Sequence, residues 1–303
     1  MTASKILISV VVPAHNEANN LAKTISSVGH SCPMDTEIII LDDASTDRCC
    51  NNQSDNRAHV KRLRKRTGVA YCRDLGVELA SGEFYAFVDG HQRFSKGCLE
   101  QCAQLAGKRD AIVCPDIRGF ERNAPALYGA IFRRRLKGPP FGADWNLQPP
   151  PKTVRRINSL RAPAYVIPRT VYPSVRWSRL LRGWGGSEAC VSIKAFFTRT
   201  PILHLSGPIA YHKFKKKFHY EVTWDEIWRN HALIARICFS EATWYDYWLP
   251  EVFREHLSEK TQLEMDSDAV RAEHLEFQQI KVRPDHEFWT RLAFQKVPPA
   301  VKR

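Results

Sequence analysis

Val10-Val11-Val12-Pro13-Ala14-His15-Asn16-Glu17 decides how this chain is read. The apolar run begins at Ile6 and shows no polar alternation, the pattern of a strand buried on both faces of a parallel sheet. It passes directly into a polar tripeptide. Glu37-Ile38-Ile39-Ile40-Leu41 and Phe84-Tyr85-Ala86-Phe87-Val88 repeat the pattern. Residues 16–28 and 69–80 have helical spacing, the second closed by Ser81-Gly82. Strand, helix, strand, helix, strand predicts an α/β, doubly wound half-domain. In such sheets ligands bind beyond the carboxyl ends of the strands, where His15, Asp42-Asp43 and Asp89-Gly90-His91 stand.

Further along, Pro139-Pro140 and Pro149-Pro150-Pro151 flank Phe141-Gly142-Ala143-Asp144-Trp145-Asn146. This predicts a segment without regular structure, either shaping a substrate site or connecting surface elements. From Tyr220 onward, tryptophans at 224, 228, 244 and 248 alternate with helix formers, and a charged helical stretch follows Pro250. The expected organisation is a catalytic domain over residues 1–220 and a helical C-terminal subdomain over 221–303, packed on it.

The 303 residues suffice for a full α/β core, and an apolar fraction of 44% with 25% charged is ordinary for a globular protein. No apolar run approaches the roughly 18 residues of a membrane span, and the N-terminus shows no zones of a secretory signal. A soluble, cytoplasmic protein is expected. Nine cysteines, an odd number without a Cys-x-x-Cys pair, predict reduced thiols. A net charge of +13 favours polyanionic partners, though it also serves solubility alone.

Asp89 and His91, two apart at a strand end, point to the same side of an extended backbone and can share one ion. A carboxylate and an imidazole suit Mn²⁺ (or Mg²⁺) better than Ca²⁺. His212 is the best third ligand. The alternative for Asp-x-His alone is a solvated turn.

These residues, with Glu37 to Asp47, Arg66-Thr67-Gly68, Arg73 and Trp184-Gly185-Gly186-Ser187-Glu188, resemble the GT-A glycosyltransferases of family 2. In motifs the chain is most similar to the catalytic domain of the polypeptide N-acetylgalactosaminyltransferases, from about Ile6 to Tyr247. The resemblance implies a Rossmann-like, mostly parallel sheet flanked by helices, with a helical C-terminal extension. It implies transfer of a hexose from a UDP-sugar to an acceptor hydroxyl. Asp89, His91 and His212 would hold the metal. His15, Glu17, Asp43, Arg66, Arg73, Trp184, Lys215 and Tyr220 would form the UDP-sugar site, Trp184 closing over the donor. Arg66 and Lys215 offer cations to phosphate, and Asp43 offers an acceptor to a uracil N–H, while Asp42 either shares that task or caps the following turn.

The chain departs from that family where Ser187 replaces the first acid of the Trp-Gly-Gly-Glu motif and Arg161-Ala162-Pro163 replaces Ala-Gly-Gly. A hexose other than N-acetylgalactosamine is therefore expected. Glu188 matches the second acid of the Glu-Asp motif of inverting family 2 enzymes, the base toward the acceptor hydroxyl, and Asp144 is a second candidate catalytic carboxylate. The alternative is retention by front-side attack without an enzymic base.

Three basic runs, Lys61-Arg62-Leu63-Arg64-Lys65-Arg66, Arg133-Arg134-Arg135 and Lys213 with Lys215-Lys216-Lys217, predict a large anionic acceptor. Arg133, Arg134 and Arg135 form its candidate patch. Duplex DNA carrying a hydroxymethylated base ranks first, ahead of a protein side chain or a glycan. An inactive GT-A module binding nucleic acid is disfavoured by the intact Asp89, His91 and His212. A nucleotidyltransferase is disfavoured because Val12 to Glu17 contains no glycine.

Overall fold

The computed structural model describes residues 7–32, 35–51, 55–132, 138–161, 163–215 and 220–292. The Arg133-Arg134-Arg135 run, Ala162 and Lys216-Lys217 lie outside the described residues. The strands are β1 (Ile8–Ala14), β2 (Thr36–Asp42), β3 (Ala58–Arg62), β4 (Phe84–Phe87), β5 (Gln92–Phe94), β6 (Ile112–Gly119), β7 (Ala126–Leu127), β8 (Ala130–Phe132), β9 (Ala143–Trp145), β10 (Val154–Ile157), β11 (Tyr165–Pro168) and β12 (Ile202–His212). The helices are α1 (Asn19–Ser31), α2 (Val69–Leu79), α3 (Cys98–Arg109), α4 (Tyr172–Val175), α5 (Ser187–Phe197), α6 (Trp224–Cys238), α7 (Glu241–Thr243), α8 (Glu259–Glu264), α9 (Asp268–Ile280) and α10 (His286–Leu292). A π-helical run, Trp244–Phe253, follows α7 and contains Pro250.

The central sheet has the order β10-β12-β6-β11-β4-β1-β2-β3. Pairings β3-β2-β1-β4 are all parallel. Strand β11 then runs antiparallel to both β4 and β6. Two reversals in series restore the direction, so β6 and its parallel partner β12 point the same way as β1 and β4. The carboxyl ends of β1, β2, β4 and β12 therefore share one edge of the sheet. His15, Asp43, Asp89 and His212 are brought to that edge by topology rather than by sequence proximity.

The apolar runs are buried on both faces, as their lack of alternation predicts. Ile8, Val10, Val12, Ile38 and Ile40 face a core closed by α1 and α3. Val11, Ile39 and Leu41 face the opposite core, which is continuous with the aromatic cluster of Phe239, Trp244, Trp248, Phe288 and Trp289. Truncating Ile39, 3% exposed, to alanine would cost about 2–5 kcal/mol by the transfer and cavity terms. The C-terminal helices thus complete the core of the sheet.

Three local features differ from the sequence reading. Helix α1 starts at Asn19 rather than 16, because Asn16 and Ala18 take φ of 52° and 47°, the left-handed region in which a helix cannot propagate. Asn16 Oδ1 instead accepts from Thr46 N at 2.8 Å, tying the turn after β1 to the one after β2. Strand β3 carries Lys61 and Arg62 on the exposed sheet edge, where charge deters edge-to-edge pairing. It has no apolar signature to announce it. The proline-rich segment holds strand β9 between its two proline clusters, paired antiparallel with β8. None of the nine cysteines is disulfide-bonded.

Candidate active site

The edge of the sheet opens into a cavity of about 550 Å³. One wall is the turn after β4. Val88 and Asp89 leave the strand and Gly90-His91 form a turn before β5, so Asp89 and His91 do not share an extended strand as the sequence suggested. They converge nonetheless. His91 Nε2 lies 3.8 Å and His212 Nε2 3.3 Å from Asp89 Oδ2, and ligand atoms of all three fall within 4.8 Å of one another. Strand β5 pairs His212 with Gln92, fixing β12 against the turn.

The donor set fits a divalent transition ion. Glu17 Oε2 sits 3.0 Å from His91 Nδ1, which commits that nitrogen and leaves Nε2 for a ligand. Glu17 Oε1 accepts from Lys215 Nζ at 2.8 Å. Burial would raise the Glu17 pKa, but the hydrogen bond and charge of His91, with those of Lys215, hold it below the ordinary value. Glu17 lines the cavity and at the same time braces His91 from the side opposite its Nε2.

Arg73 on α2 is 1% exposed and spans the site. Its Nη1 donates to Ser187 Oγ and to Glu188 Oε1, both at 2.6 Å, and its Nη2 is 3.5 Å from Asp89 Oδ1. Burial disfavours the guanidinium charge, but Tyr165, Glu188 and Asp89 more than restore it and raise its pKa. Burial likewise opposes ionisation of Asp89, yet the hydrogen bond to His212 and the charges of His91 and Arg73 keep it far below the usual carboxylate range. One buried cation therefore joins the metal cluster to the start of α5. Ser187, the departure from the family acid, is part of this joint.

Another part of the cavity is lined by His15, Asp43, Arg66, Lys215 and Tyr220. His15 Nδ1 approaches Asp43 O at 2.7 Å. Asp43 Oδ1 accepts from Thr67 N at 2.7 Å and Oδ2 from Gly68 N at 2.9 Å, so its carboxylate anchors the Arg66-Thr67-Gly68 turn. Asp42 Oδ1 accepts from Ser45 N at 2.8 Å, the turn-capping alternative. The Arg66 guanidinium stacks 4.1 Å over the Tyr220 ring, and burial pushes the Tyr220 phenol up to about 12. Gly68 has φ of 101°, and a Cβ there would sit 2.5 Å from the Gly183 backbone, so only glycine lets this turn meet the Trp184 loop.

That loop is clamped from α6. Asn230 Nδ2 donates to Arg182 O at 2.7 Å and Gly185 O at 3.0 Å, and Asn230 Oδ1 accepts from Arg182 N at 3.2 Å. Trp184 stands 38% exposed at the cavity wall. Neither Asn230 nor Phe214, which also lines the cavity, was marked by sequence reasoning. A single asparagine in a helical stretch carries no local signal.

Every other candidate within the described residues lines the cavity, but Asp144 does not. The period-two alternation of β9 presents Ala143 and Trp145 to the cavity and leaves Asp144 exposed, 4.0 Å from Arg161 Nη1. Asp144 is corrected from a catalytic carboxylate to an outward-facing one. The Arg133, Arg134 and Arg135 patch lies outside the described residues. No helix among the described residues is long and apolar enough to cross a membrane.

Residues 9–159 match the family model "Glycosyl transferase family 2". The human polypeptide N-acetylgalactosaminyltransferase 3 is 34% identical over 154 residues, 46% of this chain. The match spans 23% of that relative's length. A crystal structure of GalNAc-T7 with UDP, GalNAc and Mn²⁺ superposes with a TM-score of 0.74 at 16% identity, covering 95% of this chain and 57% of that one. TarS from S. aureus in complex with UDP-GlcNAc superposes with a TM-score of 0.55 at 16% identity, covering 95% and 92%. These likenesses establish the GT-A fold, a mixed sheet flanked by helices with a helical C-terminal part. The chain carries a glycosyl transferase family 2 domain, homologous to the catalytic domains of the polypeptide N-acetylgalactosaminyltransferases.

Proposed function

We propose that this protein transfers a hexose from a UDP-sugar to an acceptor hydroxyl with the help of a divalent ion, Mn²⁺ or Mg²⁺. The observation that carries the reading is the convergence of Asp89, His91 and His212 on a cavity that Arg66, Lys215 and Tyr220 also line. The ligands in the complexes of the structural neighbours, UDP with Mn²⁺ and UDP-GlcNAc, support it. Asp89, His91 and His212 would hold the ion, which neutralises charge on the departing diphosphate. Arg66 and Lys215 add cationic donors beside it, and Trp184 shields the sugar from water.

Glu188 is proposed as the group facing the acceptor hydroxyl. Its Oε1 is held by Arg73 at the second position of α5, which fixes the side chain's direction. Whether it removes a proton or only orients the acceptor divides inversion from retention, and anomeric analysis of the product decides between them.

Exposed Lys61, Arg62, Arg64 and Lys65 lead along the sheet edge to Arg66 at the cavity, favouring an anionic acceptor. Hydroxymethylated duplex DNA stands first in the test panel. The relative's name adds polypeptide side chains to it.

UDP release with Mn²⁺ across a panel of UDP-sugars, with DNA, peptide and glycan acceptors, tests the proposal. Metal-dependent release with one donor, stimulated by one acceptor class and abolished in Asp89→Ala with its fold intact, is expected. Full activity in that variant overturns the metal assignment.

A further inference from the structure

His231, on α6 one turn beyond Ile227, lines the cavity but belongs to none of the groups assigned above. Its Nδ1 accepts a hydrogen bond from the Phe141 backbone N–H at 3.2 Å. A backbone N–H can only donate, so Nδ1 is unprotonated and the neutral ring carries its proton on Nε2. The ring is held by parallel packing against Phe141, with centroids 5.7 Å apart and planes at 9°. Phe141 is in turn fixed by Trp248 and Phe288, at 5.2 and 6.0 Å. The donor is thus set in tautomer and direction before any ligand arrives.

Its surroundings differ from the diphosphate side. Phe141, Trp145, Leu160 and Ile227 supply aromatic and aliphatic walls, with the Gly185-Gly186 backbone beside them. Burial lowers the His231 pKa to about 3, so the ring stays uncharged through the physiological range. An uncharged N–H among aromatic faces suits a hydroxyl on a hexose, whose C–H surface packs on rings, and does not suit a phosphate.

We infer that the Nε2–H of His231 donates a hydrogen bond to a sugar hydroxyl at the aromatic end of the cavity, making His231 a specificity-determining residue for the hexose bound there. The inference rests on the UDP-sugar transfer proposed above. The hydroxyl belongs either to the donor hexose or to a sugar-bearing acceptor, and the experiment separates these.

His231→Asn is the informative variant, because Asn Oδ1 can take over acceptance from Phe141 N–H while the Nε2–H is lost. Affinity for UDP with Mn²⁺ is expected to stay within about twofold, since no nucleotide contact changes. If the donor hexose is the partner, KM for the UDP-sugar in acceptor-free hydrolysis rises about 3- to 10-fold, the loss expected for one uncharged hydrogen bond. If the acceptor is the partner, hydrolysis is unchanged and KM for acceptor rises by that factor. Wild-type kinetics in both assays overturns the inference alone. Absence of UDP release from the wild-type protein overturns the transfer reading, and the inference with it. Should the variant fail to fold, ¹⁵N-histidine spectra of the wild-type chain give the same decision. The His231 Nε2–H resonance shifts with UDP-hexose or acceptor but not with UDP, and a resonance unmoved by either overturns the inference.

Discussion

The Arg73 guanidinium donates to Glu188 Oε1 at 2.6 Å from a position almost sealed from solvent. A buried cation between carboxylates makes the two ends of the site interdependent. Arg73→Lys keeps the charge but loses the fork that reaches Ser187, Glu188 and Asp89 together. Turnover is expected to fall by about 100-fold or more, as for the loss of a preorganised donor, with UDP affinity less affected. Arg73→Ala leaves both carboxylates uncompensated and should lower stability by about 3–5 kcal/mol, measured by denaturant unfolding.

Glu17 braces His91 from behind, and Glu17→Gln removes its charge while keeping its shape. Loss of such a carboxylate typically costs 10–100-fold in metal affinity, so the Mn²⁺ concentration for half-maximal UDP release should rise by about that factor. Saturating Mn²⁺ should restore most of kcat. A fixed Mn²⁺ requirement would show that Glu17 contacts the donor instead.

Asn230 holds the Arg182 to Gly185 loop by three hydrogen bonds from a fully buried position. Asn230→Asp retains the acceptor but puts a carboxylate against the carbonyls of Arg182 and Gly185. A stability loss of about 1–3 kcal/mol is expected from the lost donors, with a reduced ability of Trp184 fluorescence to report UDP-sugar binding.

His231 is neutral in the folded chain because burial lowers its pKa to about 3, while the unfolded ring titrates near 6.5. Its contribution to stability is therefore complete above about pH 6.5 and is lost progressively as pH falls toward 3, since the unfolded state binds the extra proton. The limiting slope is about 1.4 kcal/mol per pH unit for one ring. His274, whose pKa is also lowered by burial and by the charge of Arg236, acts in the same direction. Unfolding free energies at pH 7, 6 and 5 should fall in the wild type and flatten in His231→Asn.

Much of this was legible in the sequence where one segment determines its own environment. The runs at Val10, Ile38 and Phe84 are apolar on both sides of the strand and could only be central. Asp89, His91 and His212 carried chemistry in their residue types and order. Strand β11 was invisible because its direction is set by its neighbours β4 and β6 and by nothing within Tyr165–Pro168. Arg73 bonding to Glu188 spans 115 residues, and no periodicity encodes such a partner. Asp144 misled because alternation in the short strand β9 decides which way it faces, and proline density concealed the strand.

The antiparallel insertion of β11 also sets an order of assembly. Strands β1, β2 and β4 are complete once about the first third of the chain exists, but β12, which reaches their sheet through β6 and β11 and also pairs with β5, comes from the last third. Asp89 and His212 are 123 residues apart and meet only once β12 has been made and has paired. During synthesis, the edge bearing His15, Asp43 and Asp89 can form while the candidate metal cluster still lacks His212. A nascent chain halted before His212 should therefore lack the full metal centre, so completion of the sheet acts as the step that licenses ion capture.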